Sequence, residues 1–151
     1  MTTQFQVEIK KVVAEEVRSL RHSELRKGQD FSTSCYIEDY EAGTFHIACI
    51  VDEKIVTCAS YYSEKSIKIK SNRVYRLRGM ATDFNFQRKG YASDLMQESF
   101  KELKKRDCDM VWCNARLGAV DFYKSVGFTI IGEIFDIEAI GPHYYMYKKI
   151  D

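Results

Sequence analysis

The residues whose types and spacing could do chemistry begin at Gln87-Arg88-Lys89-Gly90-Tyr91-Ala92. They follow a strand-like run, Val74 to Thr82, and open a segment with helical spacing. The first backbone N–H groups of a helix have no intrahelical acceptor, and the helix dipole puts partial positive charge at the same end. A strand that feeds a basic, glycine-containing turn at such a terminus is therefore suited to hold phosphate. Gly90 lacks a Cβ, so backbone can approach a ligand there and take positive φ. Arg88 and Lys89 add forked and point-like positive charge for anion oxygens.

Other chemistries find no matching pattern. Gly-x-x-x-x-Gly-Lys is absent, which removes a nucleoside-triphosphatase phosphate loop. No Gly-x-Ser-x-Gly nucleophile elbow occurs, and no metal-ligand spacing is visible. The five cysteines, Cys35, Cys49, Cys58, Cys108 and Cys113, form no C-x-x-C pair and are odd in number. Cys49, Cys58 and Cys113 lie in apolar strand-like runs, as buried free thiols of a reducing compartment would.

The elements that must position the loop follow from periodicity. Phe5 to Val13 alternates as a half-buried strand, and Ala14 to Arg26 switches to helical spacing with Val17, Leu20 and Leu25 on one face. Its polar face carries Arg18, Arg21, His22 and Arg26, either solvated or lining a substrate pocket. Gly28 to Gly43 is polar and irregular, a loop or short helix with acids at Glu38, Asp39 and Glu41. Thr44 to Val51 and Ile55 to Tyr62 form a hairpin about Asp52-Glu53-Lys54, and His46 inside it is expected to be structural. Glu64 to Arg73 is a charged connection. From Gly90 a helix runs to about Arg106, with Ala92, Leu95, Met96, Phe100 and Leu103 at core spacing. Met110 to Asn114 is a buried strand, and a helix from Ala119 to Val126 stops at Gly127. Thr129 to Ile137 and Tyr144 to Ile150 are the last strands, separated by residues 138–143. The order β-α-β-β-β-α-β-α-β-β, with a strand–helix–strand unit from Val74 to Asn114, implies a mixed twisted α/β sheet of six to seven strands with helices on both faces.

A chain of 151 residues is the size of a single domain, here residues 1–151. Its net charge of +1 gives no global field, so neither nucleic acid nor an anionic membrane is expected as partner. The N-terminal stretch has no signal-peptide pattern and no apolar run approaches the ~18 residues of a membrane span, so a cytoplasmic location is expected.

Gln87-x-x-Gly90-x-Ala92 resembles the (Gln/Arg)-x-x-Gly-x-(Gly/Ala) signature of the GNAT superfamily of N-acetyltransferases. Asn114-Ala115-Arg116 and Ala119-Val120-Asp121-Phe122-Tyr123-Lys124-Ser125-Val126-Gly127-Phe128 are similar to that family's downstream segment. The two matches cover roughly half the chain, in the family's order and spacing. The resemblance implies the GNAT acyl-coenzyme A N-acyltransferase fold and acetyl-coenzyme A as cosubstrate. It implies that Gln87, Arg88, Lys89, Gly90, Tyr91 and Ala92 hold the pyrophosphate. Met80, Ala81 and Thr82, after Gly79, would pair with the pantetheine arm, one N–H polarising the thioester carbonyl. Asn114 would hydrogen-bond the same arm, and Tyr123 would protonate the departing thiolate.

An amine acceptor must be neutral to attack. Deprotonating a lysine-like amine at pH 7 costs about 4.6 kcal/mol, against about 1.4 for an α-amine. A lysine-like acceptor therefore needs a general base or a water relay, with Glu133, Glu138 and His143 as candidates and His143 best matched in intrinsic pKa. The expected activity is transfer of acetyl to a primary amine, of a small molecule or a protein, by direct attack in a ternary complex. The rival is a non-catalytic acyl-coenzyme A sensor or scaffold. The oligomeric expectation is a monomer or homodimer.

Overall fold

The computed structural model describes residues 6–151, so Phe5, which opens the first alternating run, lies outside the described residues. Among the described residues are seven strands and three α-helices: β1 (Val7–Val12), α1 (Ala14–Leu25), β2 (Phe45–Val51), β3 (Lys54–Ser63), β4 (Val74–Thr82), α2 (Tyr91–Lys105), β5 (Met110–Arg116), α3 (Val120–Ser125), β6 (Thr129–Ile137) and β7 (Gly141–Lys149). This is the order expected from periodicity. The strands run β1-β2-β3-β4-β5-β7-β6 across one sheet. β4 and β5 are parallel, while β1–β2, β2–β3, β5–β7 and β6–β7 are antiparallel, so the sheet is mixed.

The chain divides into two compact units. The first comprises residues up to Tyr62 with Gly79–Ser99, the second Ser63–Arg78 with Phe100–Asp151. In the first, Val17 and Leu20 of α1 pack on Ala48, Cys58 and Ala81, with Val12, Leu25, Ile50 and Ile55 at the margin. Val7 remains 51% exposed despite its alternating pattern, because β1 is the sheet's terminal strand. The β2–β3 turn is Asp52-Glu53 alone, both at positive φ (47° and 69°), the geometry of a two-residue type I′ hairpin.

In the second unit, Trp112 and Tyr145 stack at 5.1 Å and form one buried cluster with Ile69 and Val74, against which Met110, Ile131, Phe135 and Tyr147 pack. The end of α2 is closed by Asp107 at φ 61°: Cys108 N donates to Leu103 O at 3.0 Å and Asp107 N to Lys104 O at 3.0 Å.

Residues 28–43, expected as a loop or short helix, hold two single-turn 3-10 helices, Phe31–Ser34 and Ile37–Tyr40, and one strand boundary differs from expectation. β7 starts at Gly141, not Tyr144. Ala139 (φ 66°) and Gly141 (φ 113°) turn the chain early, and Pro142 is tolerated because β7's pairing with β5 begins only at Arg116↔His143.

Candidate active site

In the first unit, β4 is kinked. Gly79 has φ +65°, and a Cβ there would lie 2.8 Å from Arg21 Nε and 3.3 Å from Tyr36 Cε2. Beyond the kink Ala81 is buried, and Met80 and Thr82 are half-buried. The chain leaves the strand through Asp83, whose carboxylate accepts from Asn85 N at 2.9 Å and pairs with Lys54 at 3.2 Å. Gln87 donates its side-chain amide back to Thr82 O at 3.4 Å, which ties the expected phosphate loop to the end of β4. Gln87, Arg88, Lys89 and Gly90 are all exposed. Lys89 Nζ lies 5.6 Å from the centre of the Phe86 ring.

Two left-handed residues shape this loop, Arg88 (φ 60°) and Gly90 (φ 84°). For Arg88 that conformation costs about 1–2 kcal/mol; for Gly90 it costs little. The first rung of α2 is Asp94 N to Gly90 O at 3.0 Å. The N–H groups of Tyr91, Ala92 and Ser93 therefore precede any intrahelical acceptor, and they open the helix where the sequence places its basic pair. A Cβ added at Gly90 would meet nothing within 4 Å.

In the second unit, Asn114 is half-buried in β5 opposite Tyr145 of β7. Tyr123 is buried in α3. Gly127 ends that helix at φ +104°, as its sequence signal predicts, with Phe128 N donating to Tyr123 O at 2.9 Å and Gly127 N to Lys124 O at 3.1 Å. The same cap brings the Phe128 ring to 5.3 Å from the Tyr123 ring. The Tyr123 ring thus packs between the rings of Phe122 and Phe128, at 5.5 and 5.3 Å.

His143 lies in β7, opposite Arg116 and Phe135, and is buried at 3% exposure; it is not a solvated turn residue. Its Nδ1 is 2.7 Å from Gly141 O. A carbonyl can only accept, so Nδ1 carries a proton, which in the neutral tautomer puts the lone pair on Nε2. In contrast, Glu138 is exposed in the β6–β7 turn, and Glu133 is exposed in β6 where its pairing is irregular.

Reasoning from the sequence missed the densest polar cluster. Arg21 is fully buried. Its Nη1 donates to Ser34 O (2.9 Å) and Asp39 Oδ2 (2.8 Å), its Nη2 to Asp39 Oδ1 (2.9 Å), Ser60 Oγ (2.6 Å) and Tyr62 Oη (3.1 Å). Its guanidinium carbon lies 4.0 Å from the Tyr36 ring centre. Tyr62 donates to Asp39 Oδ1 at 2.8 Å and Tyr36 N to Asp39 Oδ2 at 3.1 Å. Burial alone would raise the Asp39 carboxyl, but hydrogen bonds from Arg21 and Tyr62 and the Arg21 charge outweigh it and hold it below the usual range. Asp39 is therefore committed to Arg21.

His46, structural as expected, completes the cluster. Its Nε2 donates to Asp39 O at 3.1 Å, and its Nδ1 accepts from Ser60 Oγ at 2.6 Å. Burial lowers its pKa and keeps it neutral. A signal existed for the arginine: Arg21 stands four residues after Val17 and seven after Ala14, on the buried stripe of α1.

Four of the five thiols are buried and free, and only Cys35 is exposed. Burial pushes Cys58 up to about 12 and Cys108 to about 11, so both are protonated and unreactive near neutrality. Among the described residues, no group of three or more His, Cys, Asp or Glu side chains is placed to hold a metal ion. No helix among them is long and apolar enough to cross a membrane.

Comparison with known proteins bears on this arrangement. Residues 12–128 match the model of the acetyltransferase (GNAT) family. An uncharacterized N-acetyltransferase of Bacillus subtilis (strain 168), YitI, is 33% identical over 144 residues, which is 95% of this chain and 97% of that protein. Among solved structures, an aminoglycoside 6'-N-acetyltransferase complexed with coenzyme A superposes with a TM-score of 0.77 at 12% identity, over 95% of this chain and 97% of the other. Escherichia coli ElaA superposes with a TM-score of 0.76 at 16% identity, over 95% and 99%. At such identities the structural likeness establishes the fold.

Proposed function

Because the chain belongs to the acetyltransferase (GNAT) family and is an N-acetyltransferase, we propose that it transfers acetyl from acetyl-coenzyme A to a primary amine by direct attack in a ternary complex. The observation that carries the cosubstrate is the loop of residues 87–92. Left-handed Arg88 and Gly90 lead into a helix whose first N–H groups have no rung to fill, beside two basic side chains. A coenzyme A pyrophosphate supplies the anion such a loop holds, and the aminoglycoside 6'-N-acetyltransferase of the same fold was solved with coenzyme A. In this reading Met80, Ala81 and Thr82 bind the pantetheine arm and polarise the thioester carbonyl, and Asn114 donates or accepts along the same arm. Residues 1–151 act as one catalytic domain.

The acceptor nitrogen forms a bond to the carbonyl carbon, and the carbon–sulfur bond breaks. His143 Nε2 takes the proton the amine loses; its Nδ1–H, held by Gly141 O, makes Nε2 the only basic nitrogen. Exposed Glu138 is the second candidate for that role. Tyr123 Oη gives a proton to the thiolate. From phenol at pKa ~10 to thiolate at ~8.5 this runs uphill by about 2 kcal/mol, so protonation accompanies or trails cleavage. Direct transfer fits four thiols held buried away from nucleophilic duty.

The test is amine-dependent release of free coenzyme A thiol across polyamines, amino sugars, lysine peptides and free peptide N-termini, with mass detection of the acetylated product. Turnover should fall about a hundredfold in His143→Gln and at least tenfold in Tyr123→Phe. Absence of any acetylated amine, with acetyl-coenzyme A bound, would overturn the catalytic reading.

A further inference from the structure

Arg21 touches two segments with two different edges. Its Nη edge grips residues 34–39 through Ser34 O and both Asp39 oxygens, and it also reaches Ser60 and Tyr62 of β3. Its opposite side, Nε and Cδ, fills the space a Cβ of Gly79 would need, at 2.8 and 3.5 Å. Nε is buried and has no hydrogen-bond partner among the described residues, so this edge meets β4 by shape alone. The Tyr36 ring covers the guanidinium face. A rigid planar group clamped on one edge and one face can move only with its clamp.

Resting on the role given above to Met80–Thr82, we propose that Arg21 is a positioning residue for acetyl transfer. It is a buried wedge that sets the kink of β4 at Gly79 and ties it to the segment of residues 34–39. Gly79 lies directly before the backbone groups assigned to the thioester, so a kink that relaxes turns those N–H groups away from the carbonyl oxygen. An N–H misdirected by a fraction of an ångström stabilises the developing oxyanion far less, and the loss falls on turnover more than on binding. The phosphate loop, held through Gln87 and Asp83, keeps the affinity for the cosubstrate.

The test uses two variants. Arg21→Met/Asp39→Asn removes both charges together, so no unpaired charge stays buried; the amide oxygen introduced by Asp39→Asn can take the place of Oδ2 and accept from Tyr36 N, while its NH2 donates to the Tyr62 hydroxyl. Arg21→Lys keeps the charge and loses the planar fork. Both are checked for folding by circular dichroism, then titrated with acetyl-coenzyme A, and kcat and KM are measured on an accepted amine. The expected result is affinity within about threefold of wild type, with kcat lowered at least tenfold in both, and the lysine giving no rescue. Amide hydrogen exchange at Met80, Ala81 and Thr82 should rise at least tenfold in either variant that folds, whether or not an acceptor has been found. A folded variant with wild-type kcat, or with unchanged exchange at these three amides, would overturn the proposal. A wild-type protein that never acetylates an amine would instead overturn the catalytic reading, leaving hydrogen exchange to decide the role of Arg21.

Discussion

Each compact unit sets an arginine against an aromatic ring and a carboxylate, with opposite consequences. In the first, Arg21 lies 4.0 Å from the Tyr36 ring centre and pairs with Asp39, and both charged side chains are fully buried. In the second, Arg76 lies 4.7 Å from the Trp112 ring centre and pairs with Glu64, with side chains 20% and 34% exposed. The first pair has given up its water and depends on every hydrogen bond it makes. The second keeps water as an alternative partner, and Trp112 is held independently by its stack with Tyr145 and by Nε1 donating to Glu64 O at 3.0 Å. Buried charge fixes geometry at the expense of tolerance, whereas half-buried charge that keeps contact with water is more easily replaced.

The largest expected effect tests that contrast directly. Arg21→Met alone takes from buried Asp39 its two-pronged partner and leaves Arg18 Nη2, 3.9 Å away, as the nearest cation, and urea unfolding should show a loss of about 3–5 kcal/mol. A loss below about 1 kcal/mol would show that water reaches Asp39 and would dissolve the distinction. The acid response sharpens it. His46 has its folded pKa lowered by burial, so the unfolded chain takes a proton first as pH falls. Stability is complete above about pH 6.5 and declines below it, through the folded value of His46. His46→Asn should flatten that decline, and an unchanged pH profile would place the sensitivity elsewhere. At Gly90, φ +84° with open space around a new Cβ means Gly90→Ala should cost about 1–2 kcal/mol by backbone strain alone. Arg76→Met should cost no more than about 1 kcal/mol. A loss comparable to that of Arg21→Met would erase the difference between the two units.

The order of elements was legible because local period and breakers decide it. Gly127 stops α3 as its residue type demands, and the 3.6-residue spacing of Leu95, Met96 and Leu103 marks the buried face of α2. The loop of residues 87–92, proposed to hold phosphate, could be singled out as a motif because its residues are consecutive. Arg21 was not recognised as buried, because the partners that make burial tolerable come from Ser34, Asp39, Ser60 and Tyr62, distant in the chain. Asp39 read only as one of three acids in an irregular segment for the same reason. His143 read as a turn residue because Gly141-Pro142 looks like a breaker, yet Gly141 turns the chain and also supplies the carbonyl that fixes the His143 tautomer.

The most direct measurement is calorimetric titration of acetyl-coenzyme A into the wild-type protein and into Gly90→Glu. The new side chain would enter open space, so the variant adds a negative charge to the loop with only the strain of its positive φ. Binding by the wild type, weakened at least tenfold in a folded Gly90→Glu, is the predicted result and would place the pyrophosphate at residues 87–92. No binding to the wild type, or equal binding to both proteins, would contradict it.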